Sequence, residues 1–221
     1  MPARPLQTDL TAITTLGLVT ERPRHPYEMQ RLIRNRGKSF VKGLPRSLYH
    51  AIDRLAKEGL VEVVETNRDG RRPERTLYSA TDAGREALQE WLTGLLVTPE
   101  DDPSTYYAAL SLIAYLDPME ALGALQERLG SLELKIGGDT ARLQGMAPML
   151  PRLFMLEEEY RIAALVAERE FTAGLIDDLA TGRLTWNLAD MQKLAAESSE
   201  AELDLVRKAV LAAERGNGAP D

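Results

Sequence analysis

Between Leu44 and Leu92 the hydrophobic pattern switches from a helical period to a strand period and back, which few small folds accommodate. In Pro45 to Leu60 the apolar residues Leu48, Ala51, Ile52 and Leu55 recur at helical spacing and form one side of an α-helix. The other side carries Arg46, Ser47, Tyr49, His50, Arg54 and Lys57, and Gly59 follows where a left-handed C-cap is wanted. Two β-prone runs come next, Leu60 to Thr66 and Arg75 to Ala80, separated by a loop containing Asp69-Gly70, and they read as a hairpin. The loop carries Arg68, Arg71 and Arg72, with Arg75 just beyond. A cationic helix followed by an arginine-tipped hairpin fits the way a winged helix-turn-helix grips a duplex.

The charge balance bears on that expectation. The chain of 221 residues has a net charge of −7, which is unpromising for a ligand of phosphate until it is divided. Residues 1–92 hold 16 Lys and Arg against 12 Asp and Glu, whereas residues 93–221 hold 11 against 22. Phosphate binding depends on where cations sit, so the local excess outweighs the total. There is no cysteine, hence no disulfide or thiolate chemistry, and no apolar run long enough to span a bilayer. A cytoplasmic protein without a membrane partner is expected. The two histidines, His25 and His50, fall in different helices, and no nucleophile motif, glycine-rich phosphate loop or metal-ligand spacing occurs. Neither an enzyme nor a metal or other cofactor is expected. Glu157, Glu158 and Glu159 are consecutive on a helix and point apart, so they make no catalytic pair.

The rest of the chain reads as helices. Leu10 to Thr20, after the candidate caps Thr8 and Asp9, is apolar enough for a buried first helix that Pro23 stops. A second starts at Pro26, runs through Met29, Leu32 and Ile33 and ends near Gly37. Thr81 caps a fourth through Leu88 and Leu92. The expected fold is mostly α: a winged helix-turn-helix over residues 1–97, a Pro- and acid-rich linker at 98–103, an all-helical domain at 104–186, and a helix-prone, partly disordered tail at 187–221. In the helical domain, Tyr106 to Leu116 reads as one helix, and Asp117-Pro118 opens the next. There Leu122, Leu125, Leu129, Leu132 and Ile136 form a short heptad seam, with Gly137 and Gly138 weakening the helix behind it. A long helix from Arg152 to about Thr181 places Leu153, Leu156, Tyr160, Ala163, Ala167, Phe171 and Gly174 on one face, while Ile162, Leu165, Ile176 and Leu179 widen it. Two such helices expose more apolar surface than one small domain can cover, so a two-fold homodimer through the seam and this face is expected.

Several of these residues resemble the PadR family of bacterial transcriptional regulators. They are His25-Pro26-Tyr27-Glu28-Met29, Ser47-Leu48-Tyr49 with Leu55 and Glu58-Gly59-Leu60, Arg71-Arg72-Pro73, and Thr81-Asp82-Ala83-Gly84-Arg85. Together they cover residues 10–92; Gly182 to Trp186 resembles the family's C-terminal domain more loosely. Pro26 departs from the family, which often has glycine there. The resemblance implies a homodimeric repressor of double-stranded DNA, and it leaves room for release by a small aromatic effector.

Candidate roles follow from residue type and position. Arg46 and Arg54 are candidates for guanine edges, Ser47 and Tyr49 for phosphates, and His50 shares their face. Arg68, Arg71, Arg72 and Arg75 are candidates for the adjacent backbone or minor groove. Lys38, Lys42 and Tyr27 are further candidates for phosphate, with Tyr27 equally suited to core packing. Trp91, Tyr106, Tyr107 and Tyr115 fall where the two domains meet, either lining an effector pocket or filling the junction. A rival to the whole reading is a winged helix used only for protein–protein contact.

Overall fold

The computed structural model describes residues 6–67, 75–100, 102–187 and 189–190. Helix α1 (Leu10–Glu21) is the axle of the N-terminal module, buried along Thr11 to Val19. Of the two candidate caps, Asp9 is the one used: its carboxylate accepts from the amides of Thr11 (3.0 Å) and Ala12 (3.3 Å). The threonines inside α1 satisfy their hydroxyls by donating back to carbonyls one turn earlier, Thr14 to Leu10 and Thr15 to Thr11. Around it pack α2 (Pro26–Asn35), α3 (Arg46–Lys57) and α4 (Asp82–Val97), with Ile13, Leu16, Met29, Leu48, Leu55 and Leu92 in the shared core.

One helix stop and one helix start take the form expected of them. Gly59 has φ +71°, its amide donates to Ala56 O (3.0 Å), and the Leu60 amide donates to Leu55 O (2.9 Å), so α3 closes in a Schellman motif. Thr81 caps α4 by accepting from the Gly84 amide at 3.0 Å. Gly84 cannot be replaced, because a Cβ there would lie 2.0 Å from Leu60 O. The helix therefore docks directly on the start of the hairpin.

That hairpin comprises β1 (Val61–Asn67) and β2 (Arg75–Ala80), antiparallel with Val61 opposite Ala80 and a bulge between Val63 and Glu65. A third strand-like contact comes from Arg24, whose amide donates to Tyr78 O (2.9 Å) and whose carbonyl accepts from the Tyr78 amide (3.0 Å). The wing is thereby stitched to the turn between α1 and α2.

The C-terminal half differs from expectation in four places. The apolar run expected as one helix from Tyr106 is α5 (Pro103–Leu112), begun earlier because Asp102 accepts from the Ser104 amide (2.9 Å), and a 3-10 turn, Ile113–Tyr115. Helix α6 (Pro118–Met146) runs straight through Gly137 and Gly138. Helix α7 (Leu156–Ala180) starts only after a 3-10 turn over Arg152–Met155. Finally, Leu125 and Leu132 of the expected dimer seam are each 0% exposed within this one chain, covered by the packing of α6 on α4 and α7. They are core residues and are not available to a partner; Leu122, Leu129 and Ile136 are only half-covered.

Arg128 joins the two halves. It is buried, its guanidinium lies 3.8 Å over the Tyr106 ring, and it pairs with Glu168 of α7 at 2.6 Å. It also donates to Leu95 O, Leu96 O and Thr98 O, the free carbonyls at the end of α4. One side chain of α6 thus closes α4 and anchors α7. The long face of α7 remains outside: Tyr160 is 77% exposed, and Leu156, Ala163, Ala167 and Phe171 are exposed too. Leu165, Thr172 and half-buried Ile176 and Leu179 turn inward instead. Among the described residues no helix is long and apolar enough to cross a membrane.

Candidate nucleic-acid interface

Because Leu48, Ala51, Ile52 and Leu55 are buried, the opposite side of α3 must face out. It presents Arg46, Tyr49, His50, Asp53 and Lys57, all exposed and spaced to share one side of the helix. Arg46 Nε and His50 Nε2 are 3.4 Å apart, which holds the arginine along the helix. Tyr49 is 53% exposed. The Ser47 hydroxyl donates to Lys42 O at 2.6 Å and so closes the turn before α3, while the Lys42 side chain stays in solvent. Tyr27, second residue of α2, is 75% exposed and takes no part in the core.

Two expected members of the interface are corrected by their partners. Arg54 lies half-buried and donates to Asp9 Oδ2 at 2.8 Å, tying α3 to the cap of α1 rather than reaching outward. Lys38 turns its ammonium onto Ser111, bonding the carbonyl at 2.8 Å and also the hydroxyl, so it joins the end of α2 to α5. Burial, and then the charge of Arg36, lower the Lys38 pKa. Lys57 replaces them: it stands on the outer face with Arg46, a position that its helical spacing already allowed. Arg68, Arg71 and Arg72 lie outside the described residues; of Arg75 only its backbone place, opening β2 opposite Asn67, is described.

Behind this face a second group of charges is turned inward. Arg24 is 0% exposed; it donates to Leu18 O (2.8 Å), to Glu28 (2.7 Å) and to Glu21 (2.5 Å). Glu21 also receives Arg36, at the end of α2, through two hydrogen bonds, and the Tyr115 hydroxyl at 2.5 Å. Burial alone would raise the Glu21 pKa, but hydrogen bonds from Arg36 and Tyr115, with the charges of Arg36 and Arg24, outweigh it and the pKa is lowered. Burial, then the adjacent Glu21 charge, push Tyr115 well above the usual tyrosine value. His25, just before α2, holds the wing through Nδ1 and Thr76 O at 2.9 Å. The knot sets α1, α2 and the wing as one rigid mount for α3.

The four aromatic residues offered either for an effector pocket or for the junction of the two domains divide between those readings. Tyr106 is buried under Arg128 with its hydroxyl on Thr172 Oγ1 (2.9 Å). Tyr107 packs edge-on to Phe40 at 5.6 Å. Trp91 is half-buried against the core. Tyr115 lines a cavity together with Trp186, a residue for which the sequence left the same choice, with core packing favoured.

Residues 15–90 match the model of the transcriptional regulator PadR-like family. No curated protein matches the chain. Among solved structures it is similar to Bacillus subtilis PadR in complex with operator DNA, at 20% identity and TM-score 0.37, over 77% of this chain and 97% of that one. The same protein in complex with p-coumaric acid gives 17% identity and TM-score 0.32, over 77% and 99%. A PadR-like transcriptional regulator from Bacillus cereus gives 16% and 0.34, over 78% and 99%. The likeness to the PadR-like family of transcriptional regulators thus lies in residues 15–90, the winged-helix part of the chain.

Proposed function

We propose that the protein is a cytoplasmic transcriptional repressor that binds a roughly palindromic operator as a homodimer, each α3 entering a major groove. The observation that carries the reading is the outer face of α3, where Arg46, Tyr49, His50 and Lys57 stand exposed on a helix whose other side is buried. Arg46 suits a guanine edge, because a guanidinium offers two parallel donors to O6 and N7. Tyr27, Lys42 and Lys57 suit the flanking phosphates, and the sequence adds Arg68, Arg71, Arg72 and Arg75 of the wing on the adjacent backbone. Ser47 contributes by shaping the turn.

In this reading residues 1–97 are the DNA-binding module, joined through 98–103 to a dimerisation domain at 104–186. The exposed face of α7, from Leu156 through Tyr160 and Ala163 to Phe171, supports pairing with a second copy, since so long an apolar stripe is costly to leave in water. Two modules related by a two-fold axis then meet half-sites about one helical turn apart, roughly 34–36 Å. Repression follows from occupying the promoter, and release is by a small aromatic effector. The test is to recover genomic fragments retained by the purified protein and measure the affinity and stoichiometry of the enriched site. Two chains per palindrome are expected. Recovery of no preferred sequence, with the winged helix binding another protein instead, would overturn the reading.

A further inference from the structure

Asp53 stands in the middle of the outward face of α3, and its charge has the wrong sign for a surface that meets phosphate. At 3.6 residues per turn it lies about 20° around the helix from Arg46 and about 40° from Lys57. Elsewhere aspartates are accounted for. Asp9, Asp82, Asp139 and Asp178 each pair with an arginine, and Asp102 and Asp117 cap helices. Asp53 does neither: among the described residues no hydrogen bond or ion pair holds its carboxylate. The wing feels it nonetheless. Burial first, then the Asp53 charge, raise the pKa of Tyr78 on β2, so the carboxylate lies toward the side of α3 that the hairpin flanks.

A carboxylate so placed opposes the approach of any duplex, because it repels phosphates and loses its water when the face is covered. Only a donor in the groove offsets that cost. The major-groove donors are the N4 amino group of cytosine and the N6 amino group of adenine; guanine and thymine present acceptors. Adenine sets the N7 acceptor beside its donor, where an ionised carboxylate has no proton to offer, whereas cytosine sets a C–H there. We propose that Asp53 selects cytosine, accepting a hydrogen bond from its N4 amino group in the groove that α3 enters. Arg46 lies seven residues earlier, about 10.5 Å along the helix, so the guanine suited to it and this cytosine stand about three base pairs apart. The assignment rests on the duplex reading proposed above, and adds to it a second base and a penalty against unselected DNA.

Selection of the full chain on randomised duplexes, followed by affinity measurements on single-base variants of the operator it enriches, tests the assignment. The native chain is expected to favour cytosine over thymine about tenfold or more at one position of each half-site. Asp53→Asn is expected to move that preference to adenine, whose N6 donor and N7 acceptor match an amide. Asp53→Ala is expected to lose the preference while binding random duplex about two- to fivefold more tightly, since a repelling charge is gone. An operator carrying 2-pyrimidinone, which is cytosine without its N4 amine, is expected to cost the native chain about tenfold more affinity than it costs Asp53→Ala. A base preference unchanged in both variants, or equal losses on 2-pyrimidinone, overturns the assignment. So does a loss spread evenly over all bases, the signature of a carboxylate that merely supports Tyr78 of the wing. A chain that enriches an operator with no Asp53-dependent position keeps its proposed function and loses this reader; one that enriches no duplex loses both.

Discussion

The N-terminal module holds two groups of cations that differ in what surrounds them. Arg46 and Lys57 stand in solvent on a helix face, with nothing in their environment demanding a charge. Arg24, Arg36 and Arg54 are tied to Glu21, Glu28 and Asp9 with partial or complete burial. Residue type alone makes the two groups look alike. The difference teaches that a surplus of arginine in a small basic module measures two quantities at once: what is available to a phosphate and what has been consumed in building the mount.

Substitutions can break this comparison. The largest effect is expected from Arg24→Met, which leaves Glu21 and Glu28 short of their buried partner. Loss of about 3–5 kcal/mol is expected in thermal or denaturant unfolding. A loss under about 1 kcal/mol would place the knot outside the energetics of the fold. Arg46→Ala should leave stability within about 0.5 kcal/mol but cost about 1–3 kcal/mol at the base pair it reads, seen as altered preference between operator variants. A sequence-blind loss would remove Arg46 from base reading.

Acid sharpens the comparison further. The folded pKa of Glu21 lies below the ordinary value of 4.5, so its contribution to stability is complete above that value and is lost as pH falls through the folded pKa. Glu21→Gln is expected to flatten the acid limb of a Tm-against-pH curve, whereas Lys57→Ala leaves that curve unchanged. An identical acid limb in Glu21→Gln would contradict this. The smallest effect belongs to Lys57→Ala, which should lower the slope of log affinity against log salt by about 0.9, the share of one phosphate contact. No change in slope would take Lys57 off the interface.

The fold was largely legible because its determinants are local. Asp9, Gly59, Thr81 and Asp117 act on residues within one turn, and the buried face of α3 follows from its period. The misread residues fail for the opposite reason. Arg54 finds its acceptor 45 positions away, and Lys38 finds Ser111 73 away. Nothing in a helical wheel reports such partners. The seam on α6 was misjudged similarly: Leu125 and Leu132 have heptad spacing, but α4 and α7 of the same chain cover them before a partner can. On α7 the period located the main stripe, yet the inward side is the flank at Leu165 and Thr172, selected by Arg128 and Tyr106 across the junction.

The central claim is that a minority of this module's cations, carried outward by α3 and its flanks, bind duplex phosphates. Titrating a short duplex against the native protein from about 50 to 200 mM salt tests it most directly. The account predicts measurable binding at the low end and a steep linear fall of log affinity with log salt. Binding that ignores salt, or its absence at the lowest concentration, would contradict it.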